Sequence, residues 1–152
     1  MTAYNIILIL HNVLRWVVLL AGAAAVVRAL AGWLGNRDWA SLDKQLGLLF
    51  TGSLDLQMLL GLLLYLVLSP ITTGNFSNFG EAMGNADVRF FLVEHLAIMI
   101  VAVVLAHAGR SLSKRVEPAN AKHMRAAIFF ALALIAILVG IPWEGRPLLR
   151  LS

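Results

Sequence analysis

The sequence contains no cysteine. Its absence excludes disulfides, thiolate metal sites, iron–sulfur clusters and covalently attached c-type haem. Charged residues are also scarce, at 13% of the chain, whereas 61% of the residues are hydrophobic. A water-soluble domain of 152 residues does not need so much apolar surface. The composition therefore indicates a membrane protein.

Four long apolar stretches account for this composition, and each predicts a membrane-spanning helix. About 20 apolar residues in a helix cross a hydrocarbon core about 30 Å thick. Breaks rich in glycine, proline and polar residues separate the stretches. The fold class is therefore all-α, an integral membrane four-helix bundle that forms a single domain over residues 1–152. The predicted helices cover about residues 4–34, 44–69, 88–112 and 118–141.

Basic residues are unevenly distributed among the three connections, and this asymmetry predicts the orientation of the bundle. Lysine and arginine flank the first and third connections. In the second connection, over residues 69–88, the only charged residues are the acidic Glu81 and Asp87. By the positive-inside rule, the first and third connections face the cytoplasm and both termini lie on the outer side. The net charge of +4 is thus expected to meet anionic lipid headgroups in the bilayer, and not nucleic acid.

The first helix is expected to be retained. Residues 1–5 carry no lysine or arginine, so the basic n-region of a cleaved signal peptide is missing. The apolar run that follows is also longer than the one in a signal peptide.

Two histidines occupy matching depths in the first and third predicted helices. His11 comes five residues after Ile6, and His95 comes five residues after Phe90, where the two apolar runs begin. The two helices run in the same direction, so both imidazoles lie about 7–8 Å below the same face at a rise of about 1.5 Å per residue. Two imidazoles at one level are what a haem iron needs for its two axial bonds. In the alternative interpretation, each histidine hydrogen-bonds a neighbouring helix and binds no metal.

Arg15 and Asp55 are charged residues near the middle of the first and second predicted helices. Because an ionisable residue inside a membrane is costly, an ion pair between them is the economical expectation, with a proton or quinone contact as the alternative. Arg15 also shares a helix face with His11, four residues earlier, which makes it a candidate cofactor-binding residue. Gln57 projects about 160° away from Asp55, so the second helix is expected to contact protein on both sides, as in a homo-oligomer or a larger complex.

Several polar and aromatic residues are expected to cluster at the outer rim near the two histidines. They are Asn12, Arg89, Trp143 and Arg146. An arginine binds a carboxylate bidentately, so Arg89 and Arg146 are candidate partners of haem propionates, with lipid headgroup contact as the alternative. For Glu94 the spacing leaves several roles open: it orients a histidine or a water, accepts a quinol proton, or pairs with one of the two arginines.

The remaining histidines, His107 and His123, lie toward the opposite face among basic residues. Both are predicted to be interfacial residues. A second haem between them is the less favoured interpretation.

Five motifs along the chain match a known pattern. They are residues 11–16 (HNVLRW), 61–65 (GLLLY), 89–95 (RFFLVEH), 109–114 (GRSLSK) and the closing IPW of 141–143 with Arg146-Pro147. With them the sequence resembles a group of small bacterial four-helix membrane proteins labelled cytochrome b-like. The resemblance implies a multi-pass protein of the bacterial inner membrane in which His11 and His95 are the haem ligands.

The favoured function is one-electron transfer by a b-type haem in the outer leaflet, with quinol or a larger redox complex as the partner. The sequence shows no nucleophile with a base, no phosphate loop and no carboxylate cage, so an electron-transfer subunit is expected more than a stand-alone enzyme. One alternative is an accessory subunit of a respiratory or photosynthetic complex, without a cofactor or with a chlorophyll-type pigment on the histidines. A weaker alternative is a proton or ion conductor that uses Arg15, Asp55 and Glu94.

Overall fold

The computed structural model describes residues 2–143, and over this range every regular element is a helix. Four long helices are joined by short connections, and two single-turn helices lie between the second and third of them. The elements are α1 (Ala3–Leu34), α2 (Ser41–Leu68), α3 (Pro70–Thr73), α4 (Phe79–Ala82), α5 (Ala86–Lys114) and α6 (Ala119–Gly140). The four long helices are each long and apolar enough to cross a membrane. The number of long helices is as predicted, and their ends lie within a few residues of the predicted ones.

Local capping explains where α1 ends and α2 begins. Asn36, just past the last turn of α1, has a φ of 46°, the left-handed conformation that commonly terminates a helix. At the start of α2, the Asp43 carboxylate accepts a hydrogen bond of 2.7 Å from the backbone N–H of Ala40. The same carboxylate lies 2.8 Å from the Arg28 guanidinium of α1, so the cap also fixes how the two helices meet.

The four long helices form a square bundle. Helix α1 packs against α2 and α6, and α5 packs against the same two helices, so α1 and α5 lie diagonally across the bundle axis. The core contains Phe50 and Phe130, whose rings meet edge to face with centroids 5.6 Å apart. Buried alanines from α1, α5 and α6 fill the rest of the core, which lets the backbones approach closely.

Two π-helical turns lie side by side at the end of the bundle that carries His11 and His95. Residues Leu64–Leu68 close α2 with such a turn, and residues Phe90–Glu94 form one in α5. Wide turns of this kind occur often at functional sites. The Tyr65 hydroxyl of the first turn donates to the Leu92 carbonyl of the second at 2.9 Å, so the two irregular segments hold each other.

The interpretation of His123 as an interfacial residue is wrong, because its side chain is completely buried. The ring packs against Trp39, with centroids 4.8 Å apart and the planes inclined by 58°, and a Cβ added to Gly32 would collide with it. Its Nδ1 atom lies 4.0 Å from the Asp43 carboxylate. The missing side chain at Gly32 creates the space, and the imidazole fills it as part of the packing between α1 and α6.

Candidate functional site

A cavity of about 420 Å³ lies at the end of the bundle where the two π-helical turns are found. Helices α1, α2 and α5 and the end of α6 all contribute to its wall. Most of the lining is apolar, and the polar side chains that reach it include His11, Asn12, Arg15, Gln57 and His95. A largely apolar cavity with a few converging polar groups is the usual form of a cofactor or small-molecule site.

The structure brings His11 and His95 together in this cavity. Their ring centroids are 6.4 Å apart, and the ring planes are inclined by 67°. His11 belongs to α1 and His95 to α5, the two helices that lie diagonally across the bundle. The imidazoles therefore approach each other across the bundle axis.

His95 is held by the end of α6. Its Nδ1 atom lies 2.8 Å from the carbonyl oxygen of Gly140, which can only accept a hydrogen bond. The proton is therefore on Nδ1, and Nε2 keeps its lone pair for a metal. A backbone carbonyl that fixes the tautomer in this way is the usual support of a metal-binding histidine. His95 is the first residue after the π-helical turn of α5, which sets the direction of its ring.

His11 is supported by two residues of α2. A Cβ added to Gly61 would lie 3.2 Å from Cε1 of the imidazole, so the glycine makes room for the ring. The Gln57 amide nitrogen donates to the His11 carbonyl oxygen at 3.0 Å and so ties α1 to α2 at this level. The His11 Nδ1 atom is buried without a hydrogen-bond partner among the described residues. The His11 ring thus retains a nitrogen that is available for a hydrogen bond or a metal.

The predicted rim cluster is only partly brought together. Asn12 lines the cavity as expected. Arg89 is absent from the lining of the cavity; it lies 2.7 Å from Glu94 and donates to the Met83 carbonyl at 3.3 Å. Of the roles left open for Glu94, pairing with Arg89 is the one observed.

Trp143 is likewise absent from the lining. Its indole N–H donates to the Leu138 carbonyl at 2.8 Å, which folds the side chain back onto the end of α6. Arg146 lies outside the described residues. Arg15, by contrast, lines the cavity together with the two histidines, as its four-residue spacing from His11 predicts.

The predicted partner of Asp55 is wrong. Its carboxylate lies 2.7 Å from Nε2 of His107 on α5, not against Arg15. Both side chains are about half exposed on the outside of the bundle. Asp55 and Gln57 do project to different sides of α2, as predicted, because Gln57 reaches α1 and Asp55 reaches α5. His107 pairs with Asp55 on the outside of the bundle, whereas His123 is buried. These two histidines therefore have separate surroundings.

Sequence reasoning missed the α2 wall of the cavity. Gln57, Gly61 and Tyr65 follow one another at intervals of four residues and all line it. The same interval on α5 joins His95 to Met99, which also lines it. Residues four apart share a helix face, so this spacing on α2 was the available signal.

No family model, curated protein or solved structure matches the chain. The resemblance to cytochrome b-like proteins therefore stays a prediction. What bears on the function is the geometry of the cavity and of the two imidazoles within it.

Proposed function

We propose that the chain is a multi-pass protein of the bacterial inner membrane that binds a b-type haem between His11 and His95 and transfers single electrons. The four long apolar helices support the membrane location. The basic first and third connections support an orientation with both termini and the haem on the outer side. Quinol, or a neighbouring redox subunit, is the proposed electron partner.

The observation that carries the proposal is the distance between the two imidazole rings. Two imidazoles that reach one cavity from different helices would be able to hold the same prosthetic group. The ring centroids of His11 and His95 are 6.4 Å apart. Both rings thus reach the same cavity, where they would hold the cofactor between α1 and α5.

The donor set favours a macrocyclic cofactor over a bare metal ion. Among residues 2–143, no group of three or more histidine, aspartate, glutamate or cysteine side chains is placed to hold a metal ion. A haem would bring the remaining ligands of its iron with it, so that His11 and His95 would be sufficient to hold it. The apolar lining from Met58, Met99 and Phe91 suits the faces and edges of such a ring.

When bound, a b-type haem would supply a one-electron couple whose potential depends on its axial ligands, burial and nearby charges. The chain's own residues hold and orient it. The Gly140 carbonyl keeps the proton of His95 on Nδ1, and Gln57 fixes the backbone of His11. Arg15 places a cation at the cavity wall, where it would favour a carboxylate-bearing cofactor and raise the potential of a buried redox centre.

The visible spectrum of the protein purified from membranes tests the proposal. We expect the sharp reduced-minus-oxidised bands of a low-spin haem, and the loss of these bands in His11→Leu and His95→Leu. His107→Leu is the matched control, because this histidine does not line the cavity, and it should retain them. Far-red absorption would indicate a chlorophyll-type pigment instead, and a protein without any chromophore would be a cofactor-free accessory subunit.

A further inference from the structure

A polar pair lies on the outside of the bundle, between α2 and α5. Asp55 and His107 are 2.7 Å apart, and their side chains are 46% and 44% exposed. One turn away toward the end with the cavity, their neighbours on the same two helices are exposed and apolar: Leu59 is 63% exposed and Val104 is 61% exposed. One turn away toward the basic end, the neighbour of His107 is Arg110. The pair therefore borders a surface that suits lipid.

Hydrocarbon is a poor surrounding for this pair. Neither side chain can satisfy its remaining hydrogen-bonding atoms from lipid tails, and charged groups in membrane helices consequently face protein or a water-filled cavity. The pair does not line the cavity that holds His11 and His95. A protein surface against α2 and α5 would supply hydrogen-bonding partners for these atoms.

The pair is complementary to a second copy of itself. When both ring nitrogens of His107 carry a proton, Nε2 donates to Oδ1 of Asp55 and Nδ1 remains a donor, while the second carboxylate oxygen of Asp55 remains an acceptor. Neither of these two atoms has another partner among residues 2–143. A twofold axis beside the pair would let each His107 donate to the Asp55 of the other copy, as the reciprocal contacts of an isologous interface require.

The backbone at this place also permits close approach. Gly52 lies one turn before Asp55 on α2 and is exposed, and a Cβ added there would meet no atom within 4 Å. Glycine at a lipid-facing position lets two membrane helices come together closely enough for their polar side chains to interact.

From the self-complementary pair and the open glycine beside it, we infer that the chain forms a homodimer through the α2–α5 face, defined by Gly52, Asp55, Leu59, Val104 and His107. This inference rests on the membrane location proposed above, but not on haem binding. In the dimer the two Asp55–His107 pairs join into one closed cluster of four side chains at the twofold axis.

Cysteine cross-linking in native membranes tests the dimer, and the cysteine-free sequence gives a clean background. Leu59→Cys and Val104→Cys introduce single thiols on the α2–α5 face. With a short bismaleimide, both variants should shift from the 16.5 kDa monomer to a species of twice that mass. Leu20→Cys is the matched control, since this α1 leucine is 71% exposed away from the face, and it should stay monomeric.

A second pair of variants tests the role of the polar cluster. In the Leu59→Cys background, Asp55→Ala should abolish the dimer band, and the exchange of Asp55→His with His107→Asp should restore it. A restored band would show that the reciprocal donor and acceptor matter, and that Asp55→Ala had not simply unfolded the protein.

Three results would overturn the inference: cross-linking at Leu20 as strong as at Leu59, no dimer at either position of the face, or cross-linking only to a protein of another mass. The last result would assign the face to a different subunit. Recovery of the chain in the membrane fraction, and the haem spectrum of the same preparation, are recorded separately. Failure of the dimer is thereby distinguished from failure of the proposed location or cofactor.

Discussion

Gln57 shows how a single buried amide can act on the site without belonging to the cofactor ligands. Its nitrogen donates to the His11 carbonyl at 3.0 Å, while its oxygen is buried without a hydrogen-bond partner among the described residues. The bond and the unsatisfied oxygen contribute to stability with opposite signs, each at about 1 kcal/mol. The main consequence of the residue is therefore expected at the position of His11 and not in the total stability.

We predict that Gln57→Leu lowers haem affinity while the unfolding free energy of the haem-free protein changes by less than about 1 kcal/mol, because the two opposed effects are lost together. Haem titration and thermal unfolding of the haem-free protein measure the two quantities. Gln45→Leu is the control, since Gln45 is an exposed glutamine of the same helix bonded to Ser41, and neither quantity should change. A large loss of stability in Gln57→Leu with unchanged haem titration would contradict the prediction.

For single residues, the sequence predicts the depth of a side chain along its helix better than the direction in which the side chain points. Counting residues from the start of each apolar run placed His11 and His95 at one level, and the structure brings them together. The partner of Asp55 was predicted wrongly because depth alone does not fix the rotation of a helix about its axis. The burial of His123 was missed because it depends on Gly32, a residue 91 positions away in the sequence, that leaves room for the ring.

At the scale of the helices, the two adjacent π-helical turns are the least regular feature of the bundle, and they determine how the cavity wall is built. A wide turn releases carbonyl groups from the regular ladder, and these groups must find other donors. The Leu92 carbonyl receives the Tyr65 hydroxyl, and the Tyr65 carbonyl receives the Thr72 hydroxyl at 2.7 Å. Neither turn was predicted, because the residues of both turns are also compatible with a regular α-helix and only these long-range partners mark the change.

Removal of the Tyr65 hydroxyl should loosen the turn that precedes His95. We expect Tyr65→Phe to cost about 1 kcal/mol of stability, because the Leu92 carbonyl loses its donor in an apolar setting. Amide hydrogen exchange of residues 90–95 should become faster, and the thermal midpoint should fall. Tyr4→Phe is the control, as no hydrogen bond of its hydroxyl is found within residues 2–143. Unchanged exchange at residues 90–95 would show that the turn does not depend on this bond.

At the scale of the whole molecule, the bundle separates two kinds of packing along its length. The end that carries the basic connections is tightly filled, with His123 packed against Trp39 beside the Arg28–Asp43 pair. The opposite end contains the cavity. The sequence predicted the four helices and their ends well, because apolar length and helix-breaking residues are local signals. The packing at either end could not be predicted, since it depends on which small residues face each other across helices.

The charge distribution along the chain gives the last prediction, which concerns the direction of the bundle in the membrane. The cysteine-free sequence allows single reporter thiols at two exposed serines. Ser77→Cys lies between α3 and α4, within the acidic connection that joins α2 to α5. Ser111→Cys lies near the basic end of α5. A membrane-impermeant maleimide applied to spheroplasts should label Ser77→Cys, because lysine and arginine keep the other connections in the cytoplasm. Ser111→Cys should be labelled only after the cells are opened.

The unmodified chain, which has no thiol, shows the background of this labelling. If only Ser111→Cys were labelled in sealed spheroplasts, the bundle would have the opposite orientation. The cavity of His11 and His95 would then lie in the cytoplasmic half of the membrane, and its electron partner would lie on the cytoplasmic side. Labelling of both thiols in sealed spheroplasts would mean that the two connections lie on one side, which four spanning helices do not allow. The orientation, and with it the side of the membrane on which electrons enter or leave, thus follows from two measurements that do not depend on the cofactor.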